Sequence, residues 1–434
     1  MKGLLPVRDD QQAHVIVRLR ERLLDEHGVA DVVLARENHQ SALHGRSQRQ
    51  GPAGILSAPS TRVPVAEGAS SLRRKPGLDR WPTDRWSMRV AHHRLLRARL
   101  PLARAAAVAL ALTVANAQDD AGGLIYLTYD NDFIVGSDDG YSGGIHLGYV
   151  SRAADSYADT AVPEAVGHAL DRLPLLNRPG RQRFVVYTLA QVTYTPEDTA
   201  REDLVEDDLP YSGLLLFSAT AAAQDADHLD ALTLTSGVIG PASLAEEVQR
   251  ELHRASGSNQ PRGWDNQLGN EPLLNAQYDH RWRIWDFASS QRTNGDAIIS
   301  GSAAAGNWRT MADVGIGLRW GLNVPKDYFV PPPFFGQESV GALSLTKDRA
   351  RVAYVALGVD AALVGNLIQY DGNTFRDSHR VDHDPWIGRA YAGLHARIGR
   401  AIMVVSFVQA TVPWDRPDGA RWERWGRATL GWNL

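Results

Sequence analysis

"RWGRATLGWNL", residues 424–434, closes the chain and repeats with a period of two. Ala428, Leu430, Trp432 and Leu434 fall on one side, with Arg427, Thr429, Gly431 and Asn433 on the other. Successive side chains of a strand point to opposite faces, so the stretch reads as a strand with one apolar and one polar face. On a helix the same residues would scatter around the axis.

The same reading, carried upstream, finds eleven more such stretches. They are "LIYLTYD" (124–130), "YSGGIHLGYVS" (141–151), "RQRFVVYTLAQVTYT" (181–195), "YSGLLLFSATAAA" (211–223) and "LDALTLTSGVIG" (229–240). Next come "LLNAQYDHRWRIWDF" (273–287), "GDAIISGSAAAG" (295–306) and "WRTMADVGIGLRWGL" (308–322). The series ends with "RVAYVALGVDAALVG" (351–365), "PWIGRAYAGLHARIG" (385–399) and "RAIMVVSFVQATVPW" (400–414). Turns rich in Gly, Asp, Pro and Asn separate them. An even number of strands near ten residues long predicts a twelve-stranded antiparallel transmembrane β-barrel. Trp282, Trp285, Trp320, Trp386, Trp425 and Trp432 stand near strand ends, as interfacial girdles require. A secreted β-sandwich alternates in the same way, but with strands nearer five or six residues.

A targeting segment precedes the strands. From Met88 a basic stretch carrying Arg89, Arg94, Arg97, Arg99 and Arg104 leads into an apolar run, Ala105–Ala115, and an A-x-A site, Ala115-Asn116-Ala117. That run is too short to span a bilayer as a helix and reads as a cleaved signal peptide, residues 88–117. Residues 1–87 then form an over-long or disordered N-terminal extension, and 118–434 the barrel domain destined for the outer membrane. A net charge of −4 gives no sign of nucleic-acid binding. With no cysteine, disulfides, thiol nucleophiles and Cys-held zinc are excluded.

One segment breaks the β rhythm. "PASLAEEVQRELHRASGS", residues 241–258, predicts a helix opened by a capping box, Ser243 at the N-cap and Glu246 at N3. Leu244, Val248 and Leu252 give it an apolar row, while Gln249 and His253 share another face at i and i+4. A short helix and long loops at the extracellular rim are more than a passive pore needs.

Known catalytic signatures are missing: no G-x-S-x-G elbow, no H-E-x-x-H helix, no Walker loop. "YDNDFIVGSDDGYSGG" (129–144) is acidic, yet it is no EF-hand, since Val135 stands where the loop needs glycine. Asp138 and Asp139 read as hairpin-loop residues. A site must therefore be assembled from distant segments. The candidates are Asn131 and Asp132 with Ser142, then Gln249 and His253, then the loop "GSNQPRGWDNQLGNEP" (257–272). Histidine can act as a general base near neutrality, and carboxylate, amide and hydroxyl oxygens suit Ca²⁺.

"NDF" with "YSGGIHLGY", "AQVTYTPED", "DDLPYSGLLL", "GVIGPASLAEEVQRELH" and "GWDNQLGNEP" follow one another in this order. This series resembles the outer-membrane lipid A 3-O-deacylase family across most of residues 123–434. The resemblance implies a twelve-stranded barrel and Ca²⁺-dependent hydrolysis of the acyl ester at the 3-position of lipid A. It implies catalytic roles for Asn131, Asp132, Ser142, Gln249 and His253, with His253 as base and Asp132 and Ser142 on the metal. Arg201 falls near a basic residue that could hold a lipid A phosphate. Where some members carry a metal-ligating glutamate, this chain reads Ser258-Asn259, so Asn259, or Glu271 from farther away, would substitute. Leu209 replaces an Arg found in many relatives, which would alter the rim. A lipopolysaccharide substrate, surrounding outer-membrane lipids and a monomeric state are the expected partners and assembly. A phospholipase, a non-catalytic pore and a soluble sandwich are the competing readings.

Overall fold

The computed structural model describes residues 123–131, 140–328 and 351–434. The extension, the signal segment, Asp132, Asp138 and Asp139 lie outside the described residues. Twelve strands form: β1 (Leu124–Asn131), β2 (Gly140–Val150), β3 (Gln182–Thr195), β4 (Ser212–Gln224), β5 (His228–Ile239) and β6 (Glu271–Ala288) in the first half. The second half adds β7 (Thr293–Gly306), β8 (Arg309–Leu322), β9 (Val352–Leu367), β10 (Trp386–Ile398), β11 (Ala401–Thr411) and β12 (Trp422–Asn433). Each pairs antiparallel with its neighbours in chain order, and β1 closes on β12, from Leu124 opposite Asn433 to Asn131 opposite Gly426. Closure gives every strand two hydrogen-bonded neighbours, the condition for strands to stand in lipid.

The period-two pattern decides which face goes where. Leu127, Val314, Ile316, Leu318, Val359, Phe407 and Leu430 point outward and are left exposed. Between them the alternate residues turn inward and are buried with their charges paired. Asp130 accepts from Arg427 Nε at 2.6 Å and Nη2 at 2.5 Å, and Asp296 accepts from Arg283 Nε at 2.9 Å and Arg319 Nη2 at 2.6 Å. Arg281, Arg309, Arg319 and Arg389 are each at most 4 % exposed, so side chains fill the interior along these strands. Truncating one partner of such a buried pair typically costs about 3–5 kcal/mol, because the other charge is left without compensation.

Five of the six tryptophans expected in the girdles are indeed outward and about half exposed: Trp282, Trp285, Trp320, Trp386 and Trp432. Trp425 is the exception. It shares the inward parity of Arg427 and is 2 % exposed, packed edge-on against Tyr141 with ring centroids 5.6 Å apart.

The connections after β2, β4, β6, β8 and β10 lie on the rim that holds the chain end, and those after the odd strands lie on the opposite rim. Among the described residues three short helices occur in connections: α1 (Glu164–Leu170), α2 (Ala245–Ser256) and α3 (Ile368–Asp371). Only α2 is legible in the sequence; α1 and α3 are too short to show a helical period.

Candidate active site

The site begins at an irregularity. In the β2–β3 pairing Tyr141 faces Tyr194 and Gly143 faces Thr193, leaving Ser142 as the extra residue of a bulge. A bulge re-aims a side chain out of the regular alternation. Ser142 Oγ shares a hydrogen bond with Thr195 Oγ1 at 2.5 Å, and its carbonyl accepts from Asn131 Nδ2 at 2.8 Å. Asn131 and the Ser142 backbone are thereby fixed across the β1–β2 hairpin. On the inner face behind them, Tyr141 OH donates to Asp130 Oδ2 at 2.7 Å, tying the same hairpin to the Asp130–Arg427 pair.

Helix α2 docks on the outside of this wall. Gly213 makes the approach possible, because a Cβ there would lie 2.2 Å from Ala245 Cβ. Gln191, outward on β3, donates from Nε2 to Ser243 O at 2.7 Å and ties the helix start to the barrel. The start differs from the expected capping box. Pro241–Ser243 forms a 3-10 turn, Leu244 takes the N-cap position in the left-handed region (φ 61°), and no side chain caps the helix. Ser243 is drawn into the contact with Gly213 instead, and its Oγ accepts from Ala245 N at 3.3 Å.

The far end of α2 orients the histidine. Gly257, at φ 78°, ends the helix in the left-handed conformation that glycine adopts at least cost. The chain then turns back, and Asn259 O lies 2.5 Å from His253 Nδ1. A carbonyl oxygen only accepts, so Nδ1 carries the proton of the neutral ring and Nε2 keeps the lone pair. Nε2 has no partner among the described residues.

Gln249, one turn earlier, is fixed in the same manner. Trp264 Nε1 donates to Gln249 Oε1 at 2.9 Å, and Trp264 packs on Tyr211 with centroids 5.0 Å apart. An indole N–H is only a donor, so the contacting amide atom is oxygen and the NH₂ end is left for the cavity.

Between α2 and the strands lies a cavity of about 340 Å³, lined by Asn131, Ser142, Thr193, Gln249, His253 and Ser258 among others. Tyr129, Asn131, Ile145, Gln191 and Thr193 share the outward parity of Leu127 and Leu147. The cavity therefore opens on the lipid-facing wall, not into the barrel interior. Val248 and Leu252 also line it, so the apolar row of α2 borders the same space as Gln249 and His253.

The structure thus gathers four of the expected residues: Asn131, Ser142, Gln249 and His253. Asn259 joins through its backbone carbonyl, while its side chain is exposed and outside the lining. Glu271 stands apart. Its carboxylate accepts from Asn307 Nδ2 at 3.0 Å, Thr374 N at 2.9 Å and Phe375 N at 3.3 Å, which anchors the β9–β10 connection. Arg201 is exposed in the β3–β4 connection and does not line the cavity. Leu209 is buried in the main core and makes no rim surface. Trp264, Gln191, Thr195 and Gly213 escaped the sequence reading. Trp264 lies within the quoted "GWDNQLGNEP", but nothing local pairs it with Gln249.

No group of three His, Cys, Asp or Glu among the described residues is arranged to hold a metal. The described polar lining offers neutral oxygens from Asn131, Ser142, Thr193 and Ser258, a donor chemistry that suits a hard cation. Asp132, the residue after Asn131, lies outside the described residues.

Comparison with known proteins agrees with this architecture. LpxR from Salmonella typhimurium superposes with a TM-score of 0.58 at 17% identity, covering 72% of this chain and 100% of that one. The β domain of the Bordetella autotransporter BrkA (TM-score 0.32, 11% identity, 72% and 98% covered) and the translocator domain of the autotransporter NalP from Neisseria meningitidis (0.30, 12%, 80% and 98%) match more weakly. No curated protein matches the chain. The family model described as "Outer membrane protein LpxR" matches residues 102–434. By that match, over most of its length, the chain belongs to the LpxR family of outer membrane proteins.

Proposed function

We propose that this protein is a Ca²⁺-dependent ester hydrolase that removes the 3-O-linked acyl chain of lipid A within the outer membrane. One observation carries the reading: an oriented histidine and an oriented amide face a cavity on the lipid-bathed wall of the barrel. A lipid substrate can reach that position by lateral diffusion, with its head group at the polar rim and its chains along Leu127 and Leu147.

In this mechanism His253 Nε2 takes a proton from water, whose oxygen forms a bond to the ester carbonyl carbon. The carbon–oxygen bond to the sugar then breaks, and His253 returns the proton to the departing sugar hydroxyl. The products are a fatty acid and a free 3-hydroxyl. The Gln249 NH₂ group donates toward the carbonyl oxygen, and Trp264 keeps it from rotating away. Asp132 and Ser142 would hold a Ca²⁺ ion, which when bound would supply positive charge for the developing oxyanion. No acyl-enzyme is required, since neither serine nor cysteine carries a nucleophile signature.

The test is to express the chain from Met88 in a Gram-negative host and record the mass spectrum of its lipid A. The expected result is loss of one hydroxyacyl chain with the wild type but not with His253→Ala, and intact phospholipids in both. Unchanged lipid A with folded wild-type protein in the outer membrane would sink the proposal.

A further inference from the structure

The β2–β3 connection, residues 151–181, is long for its rim, where residues 225–227, 289–292 and 399–400 suffice for three other connections. It folds back onto the outer wall. Tyr157 and Leu176 are fully buried with Val185 and Ala221, and Ala161, Val162, Leu170, Tyr187 and Leu232 pack around them. Val185, Tyr187, Ala221 and Leu232 lie in outward register across β3–β5, and Tyr187 OH donates to Ala161 O at 2.9 Å. Asp230, also in outward register, is buried there, with Arg181 and Tyr278 OH on its carboxylate and His280 Nδ1 donating at 2.8 Å. A carboxylate on a lipid-facing wall is costly unless it is covered and paired, so the segment must remain docked in the membrane.

The segment's other side is apolar. Val166, Leu173 and Leu175 are 46 %, 37 % and 50 % exposed, beside exposed Arg172 and Arg178. Elsewhere on this rim the outward tryptophans Trp282, Trp285, Trp320 and Trp432 mark the membrane interface. Strands β2–β5 contain no tryptophan; of their outward tyrosines, Tyr149 is buried and Tyr187 is covered by the segment.

We infer that residues 151–181 are an interfacial anchor that takes the place of the aromatic girdle along β2–β5. Val166, Leu173 and Leu175 enter the acyl boundary of the leaflet on the chain-terminus side, with Arg172 and Arg178 at phosphate level. The occupant of this apolar patch is the phospholipid leaflet, because the patch continues the lipid-facing wall on which the segment is packed. This stands apart from any catalytic reading.

A cysteine-free chain makes the test direct. Single nitroxide labels at Leu173→Cys and Leu175→Cys are examined in vesicles of phosphatidylethanolamine and phosphatidylglycerol by power saturation with oxygen and a water-soluble nickel chelate. Leu318→Cys serves as the hydrocarbon reference and Ser290→Cys, on a turn of the same rim, as the aqueous one. The expected result is an oxygen-to-nickel accessibility ratio at both positions several-fold above that of Ser290→Cys and approaching Leu318→Cys. Ratios equal to the aqueous reference at both positions, in protein with native sheet content, would overturn the inference.

Discussion

His253 donates from Nδ1 to the main-chain carbonyl of Asn259 at 2.5 Å. The bond passes through the backbone, and its geometry depends on the left-handed turn at Gly257. Asn259→Ala is therefore expected to retain activity within about twofold, since the carbonyl stays. Gly257→Val, which strains that turn by roughly 1–2 kcal/mol, should lower kcat at least tenfold while the barrel stays folded. Release of fatty acid from purified lipid A, followed over time, checks both. A large loss in Asn259→Ala would instead indicate a role for its side chain.

Gln249 depends on Trp264 for the direction of its amide. Trp264→Phe keeps a ring against Tyr211 but leaves the buried Gln249 oxygen without its donor, at a cost of about 1–3 kcal/mol. The amide can then rotate, and kcat should fall by roughly tenfold or more with little change in KM. In a Gln249→Ala background the same change should cost almost nothing further. Additive losses would contradict the coupling.

Removal of calcium with a chelator should abolish turnover, and Ca²⁺ should restore it better than Mg²⁺, which demands near-ideal octahedral geometry and sheds its water reluctantly. Ser142→Ala is expected to raise the Ca²⁺ concentration for half-maximal rate. Equal rates with and without chelator would remove the metal from the mechanism.

In the β9–β10 connection, His383 Nε2 lies 3.3 Å from Asp371 Oδ2. That hydrogen bond raises the His383 pKa above its ordinary 6.5 against the opposing effect of burial. For Asp371, burial pushes the pKa up but is outweighed by hydrogen bonds from His383 and Leu367 N, so it falls below 3.8. The raised histidine stabilises the connection fully below pH 6.5, and that contribution fades as pH rises through its folded value. The lowered aspartate contributes above pH 3.8 and fades as pH falls through its own folded value. A nitroxide at Asp377→Cys should accordingly be less mobile near about pH 6 than near about pH 8.5. His383→Gln should remove the difference; a difference that persists would place its cause elsewhere.

The barrel was legible because strand alternation is a local property. Leu430 and Trp432 against Arg427 and Thr429 state which face meets lipid, and twelve such stretches match the twelve strands observed. Trp425 shows the limit of proximity to a strand end as a girdle signal: its parity is that of Arg427, and it turns inward. Helix α2 was visible from its spacing, but its first residue was not, since Ser243 is held by contact with Gly213 on another element.

By itself, then, the sequence determined the strands, their faces and the residue types available for chemistry. Tertiary structure decided the rest. Ser142 is re-aimed by a bulge against β3, the His253 tautomer is set by a carbonyl six residues on, and Gln249 is oriented by an indole fifteen residues away. The placement of the cavity outside the barrel follows from Gly213 admitting α2 to the outer wall. Alternation and propensity act between near neighbours, whereas hydrogen-bond direction and close approach depend on which distant atoms the closed sheet brings within a few ångströms.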